Sequence, residues 1–150
     1  MVYIKDEGST FDAPIDFVWK YLNDGDVHDA VHKTARNPKF EKVSDITFIY
    51  SSERLLRGEW APDKMRLTML PPVGIALEFL EGVLAGSKFV YIYSPNGEKT
   101  GIDVYGEFTS KQVPPGKVES VAREFLESEY RDDAPAIRAA YLAHKDRAKK

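Results

Sequence analysis

The chain has 150 residues, of which 43% are hydrophobic and 30% charged, and its formal net charge is −3. This length and composition are typical of one globular domain with a buried core, and they exclude a disordered chain. Cysteine is absent, which excludes disulfides, thiolate nucleophiles and Cys-based metal centres. Charges of both signs are interspersed, unlike the basic face of a nucleic-acid-binding protein. No apolar run approaches the roughly 20 residues of a membrane span, and the N-terminus becomes charged too early for a signal peptide. We therefore predict a single cytoplasmic domain over residues 1–150, with no nucleic-acid partner and no stable membrane insertion.

The N-terminal segment predicts one strand followed by two short helices. Val2–Phe11 alternates weakly, as a first strand does, and Asp12-Ala13-Pro14 has the acidic cap and first-turn proline of a helix start. The apolar face of this helix, at positions i, i+3, i+4 and i+7, consists of Ile15, Val18, Trp19 and Leu22. A second short helix is predicted from Val27 to about Lys33.

The middle of the chain predicts about six antiparallel strands. Met65–Met69 and Ile75–Phe79 alternate between apolar and polar residues, which is typical of half-buried strands. The clearest hairpin joins Phe89–Tyr93 to Ile102–Phe108 through a turn at Ser94–Gly97, whose Asn-Gly pair tolerates positive φ.

The C-terminal region predicts one long helix. Its apolar face, with one acidic member, consists of Val118, Val121, Ala122, Phe125 and Glu129. Pro135 should kink or restart this helix, with Asp132 or Asp133 as the new cap. Two short helices cannot cover so wide a sheet, so the long helix must lie across its concave face. We predict an α+β helix-grip fold: a curved antiparallel sheet of about six to seven strands wraps around the C-terminal helix, with two short helices between the first two strands. A sheet curved in this way often leaves a cavity.

The segment Phe11–Leu22 carries the most recognisable motif of the chain. It reads F-D-A-P-I-D-F-V-W-K-Y-L and resembles the opening F-x-A-P-x-x-x-V-W-x-x-L of the START/Bet v 1-like superfamily, also called SRPBCC or "polyketide cyclase/dehydrase and lipid transport". The resemblance extends over nearly the whole chain and implies the helix-grip fold. That family includes lipid and hormone carriers, aromatic cyclases, dehydratases, oxygenase subunits and co-chaperone-like modules, so the resemblance leaves the function broad.

The residues predicted to line the cavity come from the inward faces of the strands and the long helix. They are Met65, Leu67, Met69, Leu77, Phe79, Phe89, Tyr91, Tyr93 and Phe125. Methionine adapts to irregular ligands, although Met and Phe at these spacings also build an ordinary core. Alternation puts Tyr91 and Tyr93 on one face of the hairpin and Tyr105 on the other. A tyrosine hydroxyl that faces the cavity would orient a ligand oxygen, whereas plain aromatic packing is the alternative.

His28 and His32 are the sharpest candidates for chemistry. On a helix they lie one turn apart, and two imidazoles at this spacing bind zinc where a third ligand converges. The sequence places no third ligand beside them, so we predict neither a metal nor another cofactor. His28, His32 and Tyr91 are the candidates for a general acid or base, and local hydrogen bonding of the histidines is the alternative.

Arg66 and Glu78 alternate with apolar neighbours, which predicts a cross-strand pair on the solvent face. A register shifted by one residue would instead bury this pair in the cavity.

Three functions fit these predictions. The first is binding of a small hydrophobic ligand, such as a lipid, isoprenoid or polyketide-like metabolite, by a monomer or homodimer. The second is a cyclase or dehydratase-type enzyme that uses a cavity histidine or tyrosine as acid or base. The third is a protein-interaction module. An enzyme requires at least two convergent polar groups in the cavity, a carrier a large apolar volume, and an interaction module an exposed apolar patch.

Overall fold

The computed structural model of the protein describes residues 1–24 and 32–149. Within these ranges, seven strands form one antiparallel sheet in the order β1-β7-β6-β5-β4-β3-β2. The strands are β1 (Val2–Phe11), β2 (Ala35–Lys42), β3 (Thr47–Leu56), β4 (Glu59–Leu70), β5 (Gly74–Glu81), β6 (Lys88–Asn96) and β7 (Lys99–Phe108). Helix α1 (Ile15–Leu22) follows β1, and helix α2 (Val118–Ala148) follows β7 after one 3₁₀ turn at Pro115–Lys117. The predicted helix-grip fold is confirmed.

Strands β2 to β7 pair in chain order, and β1 returns to pair with β7. The close approach of β6 and β7 depends on Gly106, because a Cβ built there would lie 2.3 Å from Cβ of Phe89. A glycine inside a strand commonly marks such a close backbone approach. β1 also has an irregular register between Asp6 and Ser9, which bends the edge of the sheet.

Helix α2 crosses the concave face and buries the predicted apolar residues, including Val121, Ala122 and Phe125. The predicted restart at Pro135 is wrong, since α2 runs through the proline for 31 residues. Beyond the proline, fully buried Ile137 holds the helix on the protein, which compensates for the amide that proline cannot donate. Among the described residues, no helix is long and apolar enough to cross a membrane.

Helix α1 packs through a face that differs slightly from the prediction. Val18 is buried as expected, but Tyr21 is the second buried residue and Trp19 is only partly buried. The buried hydroxyl of Thr100 donates to the Ala13 carbonyl at 2.7 Å and ties the start of α1 to β7. Most of the predicted second helix lies outside the described residues, and its last residue, Lys33, is in a turn before β2.

The predicted hairpin between β6 and β7 is present, but its turn lies further along the chain. Pairing continues to Asn96 and Lys99, so the loop consists of Gly97 and Glu98. Gly97 has φ of +63°, a value glycine adopts without steric cost. Gly97 alone supplies the left-handed residue that the two-residue loop requires. Both strands therefore extend further towards the turn than predicted.

The outward pair on β4 and β5 is confirmed. Nη1 of Arg66 donates to Oε2 of Glu78 at 2.9 Å, and both side chains are solvent-accessible. The alternative register, with this pair in the cavity, is wrong. Tyr105 also faces away from the cavity as predicted, and its hydroxyl donates to Glu7 at 2.9 Å.

Candidate ligand-binding cavity

A cavity of about 140 Å³ lies between the concave face of the sheet and α2. Of the nine predicted lining residues, seven lie on its wall: Met65, Leu67, Met69, Leu77, Tyr91, Tyr93 and Phe125. Ile75 and Ile102, which share the same inward faces, complete much of the apolar wall. Whether these side chains contact a ligand remains a prediction.

Phe79 and Phe89 are not on the cavity wall, which corrects the prediction for these two residues. Both face the concave side, but α2 lies directly over them. Their ring centroids are 5.0 and 5.8 Å from that of Phe125, with near-perpendicular ring planes. The helix therefore fills the space above Phe79 and Phe89 with an aromatic cluster.

One end of the cavity is polar and is centred on Arg54 of β3, whose side chain is 3% exposed. Its Nε donates to Asp63 of β4, and its Nη1 donates to Oε1 of Glu129 of α2 at 2.7 Å. The guanidinium carbon also lies 4.7 Å from the ring centroid of Phe125. Burial opposes the charge of Arg54, but Glu129 and Asp63 outweigh it and raise the pKa of the guanidinium. The sheet and the helix are thus joined by a buried ion-pair network.

His32 lies beside this network, among three carboxylates of α2. Its Nδ1 is 3.3 Å from Oε2 of Glu129 and 3.7 Å from Oδ2 of Asp132, and its Nε2 is 3.2 Å from Oδ1 of Asp133. The backbone amide of Lys33 donates to Oδ2 of Asp132 at 3.0 Å. The imidazole is 9% exposed and lies on the cavity wall. The predicted candidate His32 therefore lies on the cavity wall, and a role in chemistry there remains a prediction.

The carboxylates decide the protonation state of His32. Burial favours the neutral imidazole, but the hydrogen bond to Asp133 and the charges of Glu129, Asp133 and Asp132 raise the pKa of His32 from 6.5 to about 9. At neutral pH the residue is therefore an imidazolium held between carboxylates. In this state it is able to donate protons or hydrogen bonds but does not act as a base.

This pKa shift predicts that stability falls as the solution becomes alkaline. The pKa of His32 is higher in the folded protein than in the unfolded chain. Protonated His32 therefore stabilises the folded state fully below about pH 6.5, and this stabilisation is lost as the pH rises through about 9. A difference of this size corresponds to at most about 3 kcal/mol. Urea unfolding of the wild type between pH 6 and 10 measures the loss.

His32→Gln isolates this contribution, because the variant keeps a polar side chain but cannot titrate. The free energy of unfolding of His32→Gln should decrease less than that of the wild type between pH 6 and 10. His144→Gln is the matched control, since His144 is exposed and contacts the ring of Phe17. Equal pH profiles for the wild type and His32→Gln would contradict the assignment.

Tyr91 and Tyr93 form the wall next to this polar end, with parallel rings whose centroids are 6.4 Å apart. Burial raises the pKa of both hydroxyls well above the usual value, and the charges of Glu129 and Asp133 add to the shift. Both hydroxyls stay protonated, which favours hydrogen-bond donation to a ligand oxygen over action as a base. For Tyr91, predicted as an acid or base candidate, the donor role is the one its surroundings support.

His32, Glu129 and Asp133 also present one possible ligand atom each, all within 4.8 Å of one another. This donor set is one that zinc accepts. However, the two imidazole nitrogens face different carboxylates, and the second oxygen of Glu129 is held by Arg54. The arrangement fits a protonated imidazole better than a metal ligand. The other histidine of the predicted pair, His28, lies outside the described residues.

Sequence reasoning missed the roles of Arg54, Asp63, Glu129 and Asp133. A signal was present for the first two, because strand alternation puts Arg54 on the same face as Tyr50 and Asp63 on the same face as Met65. Glu129 was placed on the inward face of α2, but no function was predicted for it.

The curved seven-stranded sheet and the cavity beneath a long C-terminal helix define a helix-grip fold. No family model matches the sequence, and no curated protein matches it, whereas solved structures match over nearly the whole chain. One is TTHA0849 from Thermus thermophilus, 14% identical with a TM-score of 0.77, covering 93% of this chain and 99% of that chain.

Two further similar structures are of proteins whose names are those of enzymes. The Zhui aromatase/cyclase from Streptomyces sp. R1128 is 18% identical with a TM-score of 0.65, covering 99% of this chain and 96% of that one. Norcoclaurine synthase from Thalictrum flavum, in complex with dopamine and hydroxybenzaldehyde, is 18% identical with a TM-score of 0.65, covering 95% of this chain and 87% of that one. At these identities the likeness establishes the fold, and the predicted resemblance is confirmed at that level.

Proposed function

We propose that this protein binds a small, largely apolar molecule in the cavity between the sheet and α2. The observation that carries the proposal is a void of about 140 Å³ with an apolar wall and one polar end. Ligand sites typically combine a mostly hydrophobic lining with a few polar groups that fix orientation. The Met65, Leu67 and Met69 side chains would pack against the body of the ligand, while Tyr91 and Tyr93 would donate to its oxygen atoms.

The volume favours the small end of the predicted ligand range. Pockets that bind drug-sized ligands have volumes of roughly 300–1,000 Å³, whereas an engineered apolar cavity of about 150 Å³ binds benzene. A molecule with one ring, or a short branched chain, fits this cavity of about 140 Å³ better than a long acyl chain does. The complex of norcoclaurine synthase with two single-ring compounds supports a ligand of this size for the fold.

Native mass spectrometry of the purified protein, followed by organic extraction, is the direct test. A bound apolar compound would support the proposal and identify its chemical class. If nothing is bound, calorimetric titration with toluene and indole, which are neutral and have one or two rings, decides the question. Failure of both compounds to bind at millimolar concentration would contradict the proposal.

A cavity-filling substitution provides a matched prediction. Leu77 lies on the cavity wall and is 8% exposed, so Leu77→Phe should occupy ligand space and weaken binding about tenfold or more. Leu80→Phe makes the same change on the other face of β5, where successive side chains alternate, and should leave the affinity unchanged. Titration of toluene into both variants measures the difference, and equal affinities would place the ligand elsewhere.

A second candidate function is a cyclase or dehydratase-type reaction, favoured by His32 between Glu129 and Asp133 on the cavity wall. This meets the requirement for at least two convergent polar groups. An imidazolium would give its proton to a leaving hydroxyl, and a carboxylate would take the proton from the neighbouring carbon, releasing water and an alkene. The name of the Zhui aromatase/cyclase supports this kind of chemistry for the fold.

Conversion of a β-hydroxyketone to the enone tests this second function. Conversion that fails in His32→Gln but persists in His144→Gln would support the dehydratase-type reaction. Absence of conversion in the wild type would refute it.

A further inference from the structure

Strand β2 forms one edge of the sheet, and among the described residues no strand pairs with its outer side. All its residues after Ala35 are exposed. An edge strand presents unpaired backbone amides and carbonyls, which makes it a template for pairing with another chain. The opposite edge, β1, is interrupted by its irregular register, and its Thr10 carbonyl already accepts from the Tyr130 hydroxyl at 2.7 Å. The edge formed by β2 is therefore the more open of the two.

The ladder between β2 and β3 shows which backbone groups of β2 point outwards. The amide of Val43 donates to the Thr47 carbonyl at 2.9 Å. Because inward and outward groups alternate along an antiparallel strand, the amides and carbonyls of Phe40 and Lys42 point away from β3. Pro38, two residues before Phe40, offers only a carbonyl. The segment Pro38–Lys42 is thus a short edge with one end that accepts but does not donate.

Two copies of this segment fit each other about a twofold axis at Phe40. The two Phe40 residues then bond reciprocally through their backbones, and the amide of each Lys42 donates to the Pro38 carbonyl of the other copy. The missing amide of Pro38 costs nothing in this register. Lys39 of each copy lies opposite Glu41 of the other.

Charge selects this register over its neighbours. Moving the axis to Lys39 or to Glu41 would place like charges directly opposite each other, which is destabilising, whereas opposite charges stabilise a strand pair. Both side chains are exposed, and among the described residues neither is in an ion pair, whereas the nearby Arg36 is paired with Glu53. Lys39 and Glu41 are thus complementary to a second copy of the same strand.

Phe40 connects this edge to the cavity. Its ring lies on the cavity wall, 4.7 Å from that of Tyr50, yet Phe40 is 48% exposed. Residues directly opposite on antiparallel strands share a face of the sheet, so Phe40 of a second copy would lie on the concave side beside it. Each ring would cover the exposed flank of the other.

We propose that two copies of this chain associate by antiparallel pairing of their β2 strands about a twofold axis at Phe40. Phe40 of each copy then covers the side of the other copy's cavity. This association goes beyond the proposed ligand binding and requires no ligand, so the ligand-free protein tests it.

Sedimentation velocity over a range of protein concentrations measures the association. The wild type should form a dimer. Lys39→Glu and Glu41→Lys each place like charges opposite each other at two equivalent positions, so each should weaken the dimer about tenfold or more at low salt. Lys111→Glu is the matched control, because it makes the same charge change at an exposed residue after β7, and it should leave the dimer unchanged.

Exchanging the two charges tests the register itself. The double variant Lys39→Glu/Glu41→Lys again places opposite charges across the axis and should restore the wild-type affinity. An equimolar mixture of the two single variants should form a mixed dimer, because opposite charges then face each other at both positions.

The outcomes separate this association from ligand binding. Weakening in both single variants with recovery in the double variant and in the mixture would support the dimer. A wild type that stays monomeric at millimolar concentration would overturn it, as would a dimer that neither charge reversal weakens. Weakening without recovery would overturn the register at Phe40. Toluene binding by a monomeric wild type would leave the proposed binding function intact.

Discussion

Arg54→Met should destabilise the protein by about 3–5 kcal/mol, because it leaves carboxylates buried without their cation. Arg54 is 3% exposed and connects Asp63 of the sheet to Glu129 of the helix. Methionine replaces the aliphatic part of the arginine side chain but not the guanidinium, which carries both the charge and the contact with Phe125. The free energy of unfolding at pH 7, from urea titration, measures the effect.

Arg66→Met is the matched control, because it removes the same side chain from an exposed ion pair with Glu78 on the outer face. Such pairs contribute about 0–1 kcal/mol.

Two further experiments distinguish the loss of charge from the loss of packing in Arg54→Met. The deficit of Arg54→Met should shrink as pH falls and the carboxylates protonate, and adding Asp63→Asn and Glu129→Gln should recover part of the stability. A deficit that is the same at pH 5 and in the triple variant would assign it to lost packing.

The fold could be predicted from the sequence because its signals are local. Alternation over Met65–Met69 and Ile75–Phe79, the Asn-Gly pair near the last hairpin, and the apolar face from Val118 to Phe125 each depend on neighbours a few residues apart. The errors arose where tertiary contacts override a local rule. Pro135 was expected to kink or restart α2, yet Ile137 beyond it is fully buried and α2 continues without a restart.

The polar end of the cavity could not be predicted in the same way, because its partners are far apart in the chain. Arg54 and Glu129 are separated by 75 residues, so no spacing in the sequence connects them. Asp132 or Asp133 was predicted as the cap of a restarted helix, and both instead face His32. Alternation identifies which face of the sheet a residue occupies. The position of the residue along the strand then decides whether its side chain lines the cavity, as Leu77 does, or packs against α2, as Phe79 does.

Phe125→Ala should produce the other large effect, a destabilisation of about 3–5 kcal/mol from the lost ring and the space it leaves. Phe125 is 1% exposed and packs edge-on against Phe79 and Phe89. It also forms the wall between this cluster and the cavity, so its removal should enlarge the void. Thermal and urea unfolding measure the loss, and Phe40→Ala, at a side chain that is 48% exposed, should cost much less.

The enlarged void links this stability change to the proposed function. A compound that binds only the folded state stabilises it in proportion to its occupancy, so toluene should raise the melting temperature of Phe125→Ala more than that of the wild type. Naphthalene, with two rings, should stabilise the variant and have little effect on the wild type. If neither compound stabilises the variant, then α2 collapses onto the sheet when the ring is removed, and the cavity would not be a preformed site. A larger increase in the melting temperature of Phe125→Ala than of the wild type, with toluene and with naphthalene, would show that Phe125 sets the size of the molecule that the cavity accepts.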